Sequence, residues 1–156
     1  MPTGIPEVAD DPGLHQFWAA KLAVMGTRSV KTYSRGLRYR ERTLTCPHGT
    51  EFSVRSREEK GIDVRIALDS IRLARKGIID VALIFSQDQD LAEVASEIRA
   101  LSQEQNRWIK IASAYPVGRG TRNRRGIDRT DWHRIDKAAY DACIDPRDYR
   151  QPLKAT

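Results

Sequence analysis

The sequence predicts an α/β fold in which a parallel sheet is flanked by helices, with an inserted β-hairpin. Three observations carry that expectation. Residues Ile79 to Phe85 are apolar except for Asp80 and show no alternation, as a parallel strand reads when helices cover both its faces. Leu91, Val94, Ala95, Ile98 and Leu101 then recur at helical spacing. Trp108 to Ala114 is a second buried run, so strand, helix and strand make a βαβ unit, expected right-handed with parallel strands.

In chain order, residues 1–12 carry no periodic pattern and read as an irregular segment. Leu14, Phe17, Trp18, Leu22 and Met25 predict an amphipathic helix over about 13–25, with Gly26 as its stop. Residues 29–34 alternate loosely and read as a strand. Residues 37–46 and 51–57 flank Pro47-His48-Gly49-Thr50, which predicts a hairpin. In the helix expected over about 60–76, Val64, Ala67, Leu68, Ile71 and Ala74 share one face, and Ile62, Ile66 and Leu73 form a second apolar side. Asp63 falls between them, so it is expected to be buried and to need a partner. Asp69 turns toward Arg65, four residues back. Asp90 with Glu93 fits a capping box for the next helix. Residues 116–125 read as loop, and Asp136 caps a short helix over 137–143 that Asp145-Pro146 ends. The expectation is one domain over 13–150, with a disordered tail at 151–156.

With 156 residues, 40% hydrophobic, the chain has enough for one packed core. The 27 Lys and Arg against 21 Asp and Glu leave a net charge of +6, which favours a polyanionic partner over a neutral one. No apolar run approaches the roughly 20 residues of a membrane span, and no secretory leader is visible. Cys46 and Cys143 make no disulfide framework or paired metal motif. The expectation is a cytoplasmic protein with no membrane partner.

Two sets of charged residues bear chemistry. Asp63, Asp88 and Asp90 are the acidic set, the latter two just past the end of the apolar strand, where ligands bind in open α/β sheets. Converging carboxylates suit a hard cation such as Mg²⁺, which can activate a water for phosphodiester hydrolysis. Each residue also has a structural reading: Asp63 as a charge on the helix dipole and Asp90 as an N-cap. Asp88 has the least obvious structural job. The basic set is an arginine-rich hairpin (Arg35, Arg38, Arg40, Arg42, Arg55, Arg57) and the loop with Arg119, Arg122, Arg124 and Arg125, suited to a phosphate backbone. Tyr33, Tyr39 and Tyr115 either stack bases or pack.

The stretch EKGIDVRIALDSIRLARKGIIDVALIFSQDQDL (59–91), with NRWIKIASAYP (106–116) and RRGIDRTDWHRIDKAAYDACIDPRDYR (124–150), resembles the NYN-domain family of PIN-like ribonucleases, and within it a bacterial subgroup. The family's Lys-Gly-x-Asp helix start stands here as Lys60-Gly61-Ile62-Asp63. Its Ser-Gly-Asp-Ser-Asp loop stands as Ser86-Gln87-Asp88-Gln89-Asp90. The resemblance implies a PIN-like parallel sheet and RNA cleavage with Mg²⁺ or Mn²⁺. It assigns Asp63, Asp88 and Asp90 as metal-site and catalytic residues, and Ser86 as a neighbour of metal water or phosphate. Lys60, Arg38, Arg40, Arg122, Arg124 and Arg125 are expected to contact the substrate, RNA, expected single-stranded. The family's first strand, ending in Asp-Gly-x-Asn and supplying the first carboxylate, has no counterpart, and Asp10 and Asp11 stand in the wrong context to replace it. The resemblance therefore implies an N-terminally shortened member. A second copy or a partner chain could complete its sheet. The alternative to a ribonuclease is a catalytically impaired RNA-binding or protein-interaction remnant.

Overall fold

The computed structural model describes residues 1–150, and the tail expected at 151–156 lies outside the described residues. The chain divides into two compact units, one of residues 1–62 with the segment from Arg147, the other of residues 63–146.

In the first unit, β1 (Pro2–Ile5) pairs in parallel with β2 (Tyr33–Gly36), with α1 (Pro12–Thr27) between them in sequence. Asp11 starts α1 by accepting the Leu14 N–H at 3.0 Å, and Pro12 takes a first-turn position where no N–H is needed. Leu22 is buried on this helix, while Leu14, Phe17, Trp18 and Met25 are half-buried. β3 (Arg38–Thr45) and β4 (Glu51–Glu58) form the expected hairpin, in register from Arg38 opposite Glu58 to Thr45 opposite Glu51. Its turn closes with Cys46 N–H donating to Thr50 O at 2.9 Å, and Gly49, at φ +84°, supplies the left-handed residue. The segment expected to be irregular thus contains a strand. At four residues with one proline and one glycine, β1 is too short to show a period.

In the second unit, α2 (Ile62–Arg75) ends in a Schellman turn, Ile78 N–H donating to Leu73 O and Gly77 N–H to Ala74 O, with Gly77 at φ +66°. β5 (Val81–Phe85), α3 (Ala92–Glu104) and β6 (Lys110–Pro116) follow, then β7 (Asp131–Ile135) and α4 (Lys137–Ala142), which Asp136 caps as expected. The three strands form one all-parallel sheet in the order β5-β6-β7. Its core face carries Ala82, Ile84 and Ile111 against Leu91, Val94, Ala95, Ile98 and Leu101, with Ala74 of α2 in the same cluster. Arg107 ties the base of the unit together, donating to Ala74 O, Ile79 O and the Asp80 carboxylate.

Three expectations are corrected here. β5 is not covered on both faces: Ala82 and Ile84 are buried, but Val81, Leu83 and Phe85 are 49%, 46% and 71% exposed. The apolar run therefore hides a one-sided strand, since α2 and α3 supply the core on a single face. Asp63 is exposed rather than buried, in the first turn of α2. Asp69 does pair with Arg65 at 2.8 Å, and with Arg72 at 2.9 Å as well. Finally, Asp90 does not cap α3. Asp88 accepts the Asp90 N–H at 3.0 Å and caps a single 3₁₀ turn, Gln89–Leu91, that leads into the helix. Among the described residues no helix is long and apolar enough to cross a membrane.

Candidate functional site

Parallel strands deliver their C-terminal ends to one side of a sheet, and β5 and β6 both end there in charged loops. The loop after β5 is Ser86–Asp90. Ser86 Oγ accepts the Asp88 N–H at 3.1 Å, and Asp88 in turn holds the Asp90 N–H. Both aspartates are exposed. The loop after β6 runs from Val117 to Thr130 and carries Arg119, Arg122, Arg124 and Arg125, all exposed.

These two loops are stitched together by neutral side chains. Gln87 Nε2 donates to Arg125 O at 2.8 Å and Asn123 O at 3.3 Å. Gln89 Nε2 donates to Gly126 O and to Gln87 O, both at 3.0 Å, while Gln89 Oε1 accepts the Asp128 N–H at 3.0 Å. The far end of the basic loop is pinned to β6 through Ser113, which is fully buried. Ser113 Oγ accepts the Ile127 N–H at 3.0 Å and lies 2.7 Å from Thr130 Oγ1. Trp132 Nε1 and Thr130 Oγ1 each donate to Ile127 O at 2.8 Å. The arginines thus sit on a loop whose base is fixed.

Cation pairing differs between the two basic sets. Arg125 lies 3.8 Å from the Asp128 carboxylate, while Arg119, Arg122 and Arg124 have no carboxylate partner among the described residues. The hairpin is more nearly neutralised. Glu58 takes Arg42 at 2.7 Å, Arg40 at 3.2 Å and Lys60 at 3.8 Å. Arg55 pairs with Asp10 at 2.6 Å and lies over the Tyr39 ring, and Arg57 pairs with Asp11 at 3.0 Å. The hydrogen bond from Arg42, helped by the positive charges of Arg40 and Lys60, holds the Glu58 carboxyl below its ordinary value against the opposing effect of desolvation. Of the hairpin residues expected to meet substrate, Arg38 has no such partner among the described residues, whereas Arg40 and Lys60 share Glu58.

The acidic residues are not brought together. Among the described residues no three His, Cys, Asp or Glu side chains form a group that could hold a metal ion. Asp63 sits in the first turn of α2, where its charge complements the helix dipole. Asp88 turns its carboxylate onto the chain at Asp90. In this arrangement Asp63, Asp88 and Asp90 do not fit a shared Mg²⁺ or Mn²⁺, which requires oxygen ligands converging on one point.

Tyr115 packs rather than offers a stacking face: it is 1% exposed, edge-on to Trp132, with its hydroxyl buried. Tyr39 likewise has a buried hydroxyl, and Tyr33 is half-buried. The Cys46 thiol is drawn below its ordinary value, first by the His48 and Thr50 N–H groups of the hairpin turn, and Cys143 is exposed.

Sequence reasoning missed Gln87, Gln89 and the Ser113 anchor. Ser113 carried one usable signal, a lone hydroxyl inside an apolar strand, which must find a partner. The two glutamines carried none, because a carboxamide in a polar loop reads as ordinary surface. No family model, curated protein or solved structure matches the chain, so the resemblance to NYN domains rests on the motifs quoted above.

Proposed function

We propose that this chain binds the phosphate backbone of RNA, expected single-stranded, along the arginine loop at the C-terminal end of its three-stranded parallel sheet. One observation carries the reading: Arg119, Arg122 and Arg124 project from an anchored loop with no carboxylate to neutralise them among the described residues. Exposed guanidinium groups without internal partners are free to replace the counterions of a polyanion. The net charge of +6 adds a long-range pull of the same sign.

The reading stops at binding. Metal-dependent cleavage would need Asp63, Asp88 and Asp90 to share an ion, and among the described residues they form no group that could hold one. The test is an oligoribonucleotide titration at low salt, with a parallel incubation in Mn²⁺. Wild type is expected to retain the RNA intact, and Arg122→Ala/Arg124→Ala to bind it several-fold more weakly. Absence of binding would reject the proposal. Cleavage in Mn²⁺ that disappears in Asp88→Asn would restore the ribonuclease reading in its place.

A further inference from the structure

We infer that the carboxamides of Gln87 and Gln89 are positioning residues, holding the arginine loop in place without neutralising Arg119, Arg122 or Arg124. The inference rests on the RNA-binding reading and adds to it the device that presents the arginines.

A loop of like charges repels itself and needs an external hold. The ready-made hold here would be an ion pair, because exposed Asp88 and Asp90 belong to the turn that touches the basic loop. Such a pair would neutralise a guanidinium that a phosphate could otherwise meet. The molecule instead uses neutral groups acting on main chain. Gln87 directs its amide nitrogen at two carbonyls, Asn123 O and Arg125 O, which bracket Arg124. Gln89 donates to Gly126 O and accepts from the Asp128 N–H, so it needs a donor and an acceptor on one planar group. A carboxamide supplies both without charge. A glutamate at 89 would set carboxylate oxygens against the Gln87 and Gly126 carbonyls, and a lysine would lose the bond from Asp128 N–H. The alternation Gln87-Asp88-Gln89-Asp90 therefore divides the labour: Asp88 shapes the turn and the glutamines grip the neighbouring loop.

The test uses the full chain with Gln87→Met/Gln89→Met, which keeps side-chain length and removes the hydrogen bonds. Fluorescence anisotropy with a single-stranded oligoribonucleotide gives the slope of log affinity against log salt. Hydrogen exchange reports the Asp128 amide. The variant is expected to keep a cooperative melting transition and to exchange the Asp128 amide at least about tenfold faster, as an amide does once its bond opens readily. Its salt slope is expected to move toward that of Arg122→Ala/Arg124→Ala. Adding those arginine changes to it should have little further effect, as for residues acting through one another. If the double variant does not fold, Gln87→Met alone leaves the Gln89 bonds in place and should give an intermediate slope. A wild-type slope in a glutamine variant, with the arginine variant impaired, overturns this inference alone. An arginine variant that binds like wild type overturns the RNA reading and this inference with it.

Discussion

Gly126 is the residue on which the geometry of the basic loop turns most sharply. A Cβ built there would stand 2.3 Å from Ser113 Oγ and 2.8 Å from Trp132 Cδ1. Both neighbours are engaged, Ser113 with Ile127 and Thr130 and Trp132 with Ile127 O, so neither can move without losing a bond. Overpacking of this kind costs roughly 1–3 kcal/mol, and Gly126→Ala is expected to lower the denaturation midpoint accordingly while Gly118→Ala, with open space around it, leaves it nearly unchanged. Glu58 gives a second test at this scale. Its folded-state carboxyl titrates below the ordinary value of 4.5 because Arg42, Arg40 and Lys60 surround it. A depressed carboxyl stabilises the fold above its unfolded value and loses that contribution as pH falls through its folded value. The hairpin should therefore loosen on acidification below about pH 4.5, seen as faster amide exchange across β3 and β4, and Glu58→Gln should remove that pH dependence.

Elements were legible in the sequence where burial repeats with a clear period. The α3 stripe from Leu91 to Leu101, the hairpin around Pro47–Thr50 and the cap at Asp136 all stand where the residues predict them. β7 was not foreseen, because Asp131-Trp132-His133-Arg134-Ile135 lies at the sheet edge and stays largely exposed, so it has no need of an apolar pattern. β5 was foreseen as a strand but misread in its surroundings, since an apolar composition does not reveal whether one face or two are covered. The acidic turn departs from its expectation: α3 has no side-chain cap from Asp90, and Asp88, two residues earlier, caps the 3₁₀ turn that leads into the helix. The asymmetry of the core has a measurable consequence. Ile98→Ala, at a position with no exposure, is expected to cost about 2–5 kcal/mol in chemical denaturation. Phe85→Ser, where the ring is 71% exposed, should stay within about 0.5 kcal/mol. Equal losses at the two positions would mean that the outer face of β5 is covered in solution.

At the scale of the whole molecule, positive charge is in excess, but it is not evenly available. The first unit spends most of its hairpin cations on Glu58, Asp10 and Asp11, whereas the second leaves Arg119, Arg122 and Arg124 unpaired among the described residues. A count of arginines read from the sequence treats both sets as equal. Their difference lies in which carboxylates the fold brings alongside, which composition alone does not determine. On the proposed reading, RNA contact therefore falls chiefly to the loop. The most direct test is the salt dependence of RNA affinity in two variants, Arg122→Ala/Arg124→Ala and Arg38→Ala/Arg40→Ala. With a slope near 0.7 per phosphate contact on single strands, the loop variant should lose about 1.4 from the wild-type slope and the hairpin variant clearly less. A hairpin variant that loses as much as the loop variant, or more, would contradict it.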